Sequence, residues 1–148
     1  MAYEEANYET ISENKDYEIR KYFDRLVIET NSIEGNGFRK LFNYISGNNE
    51  EKKEIKMTVP VTQENKDGNM KMQFYLPSKF NKDNAPKPSN PEIKILNIEG
   101  GYYAVIKYSG RSSDKNFIKN KNILEKELKK DDIIILSAPI RASYNSPF

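Results

Sequence analysis

Cysteine, histidine and tryptophan are all absent from the 148-residue sequence. Without cysteine there can be no disulfide, thiol nucleophile, iron–sulfur cluster or zinc–thiolate site. Without histidine there can be no Ser-His-Asp or Cys-His catalysis and no histidine-ligated metal centre. A surplus of charge is missing too: 24 basic residues face 22 acidic ones, for a net charge of +2. That balance argues against a nucleic-acid surface, which carries a concentrated basic excess. Charges are interleaved, as in Glu50-Glu51-Lys52-Lys53-Glu54, the pattern of a solvated surface. The opening MAYEEANYET lacks an apolar leader core, and no apolar run is long enough to span a bilayer. The expectation is a cytoplasmic protein without membrane insertion. No phosphate-cradling Gly-x-x-x-x-Gly-Lys occurs, and the carboxylate pairs Glu4-Glu5 and Asp131-Asp132 lie in polar stretches. No catalytic residue, no metal ligand and no enzyme are expected.

A chain of this length suggests one domain, 1–148, with a core large enough to need no staple. Residues 17–22 (YEIRKY) and 25–30 (RLVIET) read as strands. Phe38, Leu41, Phe42 and Ile45 then recur at helical spacing, predicting a helix over 38–45 that Gly47 caps. Residues 55–61 (IKMTVPV) and 70–76 (MKMQFYL) read as strands joined through Gly68-Asn69, a hairpin. Residues 77–91 hold four of the seven prolines and read as a long linking loop. Strands follow at 92–98 and 102–108, with Gly100-Gly101 as a tight turn between them. Ser112-Ser113-Asp114 offers an N-cap for a helix to about Lys130, and 133–140 (IIILSAPI) reads as the next strand.

The order of elements repeats. Met57-Thr58-Val59-Pro60-Val61 matches Leu136-Ser137-Ala138-Pro139-Ile140 in chemistry at every position, 79 residues apart, and Phe38 and Phe117 share that offset. Val27-Ile28 and Val105-Ile106 are 78 apart. Two pseudo-repeats are therefore expected, about 15–76 and 92–148, joined by the loop 77–91. The paired prolines are expected to mark edges or bulges, since proline donates nothing to a sheet ladder.

"YEIRKY", "GFRKLFNYISGNN", "IKMTVPV", "PSKFNKDNAPKPSNP", "YYAVIKYSG" and "YNSPF", in that order, resemble the SOUL haem-binding protein family over nearly the whole chain. The resemblance implies an α+β fold: a duplicated βαββ unit forming a distorted antiparallel barrel-like sheet flanked by two helices. Such a fold is similar to the effector-binding domains of bacterial regulators. It also implies non-catalytic binding of haem or another tetrapyrrole at an apolar surface beside the first helix. Here that binding would lack a histidine ligand. Aligned on "YISGNN", the positions where members carry basic residues fall on Gly35 and Asn43.

The candidate binding residues are Phe38, Arg39, Phe42, Asn43 and Arg111. Phe38 and Phe42 can form an apolar platform for a macrocycle or simply part of the core. Arg39 carries a fork of donors suited to a carboxylate. Arg111 lies beside a helix N-terminus, where an anion can bind. Met57 and Tyr44 are the alternative metal ligands, or else packing residues. The expected partner is a planar tetrapyrrole or small apolar ligand, not nucleic acid. The alternative is a protein-interaction or regulatory module on the same fold that binds no haem. A hydrolase-like cleft would need a buried carboxylate between the repeats, and no motif supplies one.

Overall fold

The computed structural model describes residues 3–32, 35–66, 68–110 and 113–144. In chain order its elements are β1 (Glu4–Glu5), β2 (Tyr8–Glu13), β3 (Glu18–Tyr22), β4 (Arg25–Ser32), α1 (Gly37–Ile45), β5 (Thr58–Val59), β6 (Val61–Lys66), β7 (Asn69–Tyr75), β8 (Lys94–Ile98), β9 (Gly101–Val105), α2 (Asp114–Lys130) and β10 (Arg141–Ser143). They fall into two compact units. One comprises Met1–Ala6, Asp24–Glu99 and Ile140–Phe148; the other comprises Asn7–Phe23 and Gly100–Pro139.

In the first unit, β10-β6-β7-β4-β8 form an antiparallel sheet. Side chains alternate across a strand, so Leu26, Ile28 and Thr30 of β4 share one face. The register carries that face across the sheet, with Ile28 opposite Phe74 on one side and Ile95 on the other, and Phe74 opposite Val61. Leu41, Tyr44 and Ile45 are buried on α1, and they join these residues in one core. At Gly37 the helix comes close to the strands: a Cβ there would lie 3.4 Å from Cγ2 of Thr30. The expected hairpin is present, with Lys66 opposite Asn69.

A Schellman turn ends α1. Asn48 N–H donates to Asn43 O (2.9 Å) and Gly47 N–H to Tyr44 O (3.2 Å), with Gly47 at φ +120°. Asn49 is buried beyond it, donating from Nδ2 to Tyr44 O and Lys53 O. Residues 77–91 are a packed loop of turns. Phe80 and Ala85 join the core, Tyr44 donates its hydroxyl to Pro86 O (2.5 Å), and Glu50 N–H donates to Lys87 O.

The stretch 55–61 is not one strand. β5 pairs in parallel with β1, and β6 enters the five-stranded sheet. Pro60 stands between them, after a cis Val59–Pro60 bond. A residue with no N–H fits the point where the chain leaves one sheet for another.

The second unit holds an antiparallel sheet, β2-β3-β9, with a register shift between Thr10 and Ser12. Arg20 is buried on β3. Its guanidinium donates to Glu18 from Nε (2.8 Å) and to the Tyr22 hydroxyl (2.8 Å), and lies 4.1 Å from the centroid of the Tyr8 ring. Burial works against a charged Glu18, but Arg20 and then Lys107 outweigh it and hold the carboxyl below its ordinary pKa. Gly100, just before β9, lies against the end of β3. A Cβ there would meet Tyr22 O at 2.4 Å, so the position admits only glycine.

Ser113 caps α2 by accepting from Asn116 N–H at 3.2 Å. Ser113→Ala is expected to cost about 1 kcal/mol, read as a lower urea midpoint at unchanged slope. A second Schellman turn ends α2, with Asp132 at φ +57° and Ile133 N–H donating to Leu128 O (2.9 Å). Asp131 also accepts the Tyr17 hydroxyl at 2.5 Å.

Two expectations are corrected. Residues 133–140 form no strand; the chain there is irregular and exposed. No described strand runs beside them, and an apolar β-prone composition makes a strand only where a ladder partner exists. The described strands also close no barrel. They lie in sheets of two, five and three strands.

Candidate functional site: an aromatic stripe on the first helix

At 100° per residue, Phe38 and Phe42 lie one turn apart on α1, at the edge of its buried face. Both are half-buried and pack against the core. Their rings are nearly parallel, with centroids 5.9 Å apart and planes 14° apart. Phe74 of β7 meets the Phe38 ring edge-on at 5.2 Å. Phe74 is buried and backs Phe38 from within the core, so the apolar surface that reaches solvent is the Phe38–Phe42 pair.

The next stripe of α1 is Arg39 and Asn43, both exposed. Neither side chain bonds a described residue, so the Arg39 guanidinium is free to meet an anion. Lys40 is not, because it pairs with Glu92. Gly35 lies exposed ahead of the helix at φ +77°. The helix therefore brings Phe38, Phe42, Arg39 and Asn43 onto adjacent stripes. Arg111 lies outside the described residues.

The alternative ligands have other duties. Tyr44 is fully buried, and its hydroxyl is bonded to Pro86 O. Burial, then the charge of Glu51, pushes its pKa up to about 12, so it stays a neutral phenol. Met57 packs on the core. Glu29 is a buried carboxylate, but it accepts from Gln73 Nε2 at 2.8 Å across the ladder. Among the described residues no group of His, Cys, Asp or Glu could hold a metal ion.

Phe74 was not foreseen. Its signal was the alternation Met70, Met72, Phe74, Leu76, which marks a core face but cannot say which helix residue it meets.

Antiparallel sheets and packed helices make this an α+β protein, with a half-buried pair of parallel aromatic rings beside an exposed arginine on the first helix. A family model, SOUL heme-binding protein, matches residues 3–148, and the chain belongs to that family. No curated protein matches it.

Proposed function

We propose that the protein binds haem or another tetrapyrrole on the α1 surface without a histidine ligand. Phe38 and Phe42 supply apolar contact with a flat macrocycle, and the buried Phe74 supports Phe38 from behind. Arg39 pairs with a propionate, with Asn43 as a neutral hydrogen-bonding neighbour. The observation that carries the reading is the parallel, half-buried Phe38–Phe42 pair beside an unengaged arginine. Bound haem would bring iron and the macrocycle; this chain would hold and shield one face. It is a binding role, and no catalytic step is assigned.

Affinity without axial ligation depends on the ring system and not on iron. Hemin should therefore give a saturable Soret shift at micromolar protein. Iron-free protoporphyrin should bind within a few-fold of it, read by fluorescence. A flat hemin titration would overturn the reading and leave the interaction-module alternative. Binding that requires iron would overturn the ligation-free part.

A further inference from the structure

The second unit carries a surface that tetrapyrrole binding does not use. Lys115, Lys119, Lys126 and Lys130 recur on α2 at spacings of 4, 7 and 4, which places them on one exposed stripe. Lys129 lies beside it. Lys130 pairs with Glu127 at 3.3 Å. Lys115, Lys119, Lys126 and Lys129 make no ion pair with a described residue.

Exposed apolar side chains lie on the neighbouring side of α2 and in the segment that follows it. Ile118 is 51% exposed on α2, Ile134 81% and Leu136 93%. Glu125, Lys129 and Asp132 share an open groove with Ile133, Ile134 and Ile135, so the segment after the helix lies alongside its C-terminal half. The acidic residues on the Ile118 side of the helix and in the groove are Asp114, Glu125, held by Lys121 at 3.9 Å, and Asp132.

We infer that α2 and residues 133–136 form a docking face for an anionic lipid surface. Charge complementarity selects the occupant. Four unengaged lysines on a helix flanked by exposed isoleucines and a leucine match phosphate headgroups over an acyl boundary. A purely apolar protein contact would leave those cations unpaired. No described helix is long and apolar enough to cross a membrane, so the contact is peripheral.

The test is sedimentation of the full chain with vesicles. It should pellet with phosphatidylcholine–phosphatidylserine vesicles in low salt. It should stay in solution with pure phosphatidylcholine, or in high salt. Each lysine removed should weaken binding about five-fold, so Lys119→Gln with Lys126→Gln should give about 25-fold. Leu136→Ser should also weaken it. All three side chains are exposed, and an unchanged far-UV spectrum guards against misfolding. No pelleting with the anionic vesicles, equal pelleting with neutral ones, or no loss in the lysine variant each overturns the proposal. Failure to pellet, together with a dimer in solution that Leu136→Asp dissolves, overturns it in favour of a second copy of this chain.

Discussion

Tyr44→Ala should lower the unfolding free energy by about 4 kcal/mol, the range for deleting a fully buried aromatic ring. Tyr44 fills the core between α1 and the loop 77–91, and it is completely buried. Tyr44→Phe keeps the ring but removes the donor to Pro86 O. It should cost about 1–2 kcal/mol, because a buried carbonyl then lacks its partner. Urea midpoints at constant slope would separate the two, and a Tyr44→Phe midpoint equal to that of wild type would show that the hydroxyl does nothing. The same residue gives the fold a pH limit. The folded pKa, about 12, lies above the ordinary 10.0, so the fold favours the neutral phenol. Its contribution is complete below the unfolded pKa and is lost as pH rises through the folded one. Tyr75, raised to about 12 by burial and then by its bond to Glu4, adds to the loss in the same window. Wild-type stability should fall between about pH 10 and about pH 12, and Tyr44→Phe should fall less steeply.

Phe42→Ser should weaken tetrapyrrole binding by about tenfold or more, the loss expected when a large apolar side chain no longer contributes its buried area. Phe42 is half-buried, so the fold should survive, which the far-UV spectrum would confirm. Arg39→Ala should weaken binding less, and only at low salt, because the exposed guanidinium acts in water. A ligand esterified at its propionates should bind wild type and Arg39→Ala alike. If Phe42→Ser binds hemin as wild type does, the ligand does not rest on this stripe.

Local physics made some of the fold legible. The helix Phe38–Ile45 announced itself by period, Gly47 by its place after the last apolar residue, and Ser113 by its hydroxyl before a helical run. Each of these depends on near neighbours in the chain. Strand β2 was not legible, because it is almost wholly exposed and shows no alternation; only its pairing with β3 makes it a strand. The reverse held at 133–140, whose composition is that of a buried strand yet which has no described ladder beside it. At the candidate site, helical spacing alone grouped Phe38 with Phe42 and Arg39 with Asn43. That Lys40 is engaged with Glu92 while Arg39 is free depends on a residue 52 positions away, which no local pattern encodes.

The order in which the chain visits its two units bears on synthesis. It leaves the first after Ala6, returns at Asp24, leaves again after Glu99 and returns at Ile140. β10, an edge of the five-stranded sheet, is therefore made after every other described strand. A nascent chain emerging from the ribosome cannot complete either unit before the other has been partly made. β6 keeps an open edge until residues 141–143 arrive, and β3 waits for β9. Such non-local pairing slows folding and prolongs the exposure of strand edges to other chains. Neither unit is one continuous stretch of the chain, so a cut between residues 24 and 99, or between 100 and 139, separates strands that pair or segments that pack within one unit.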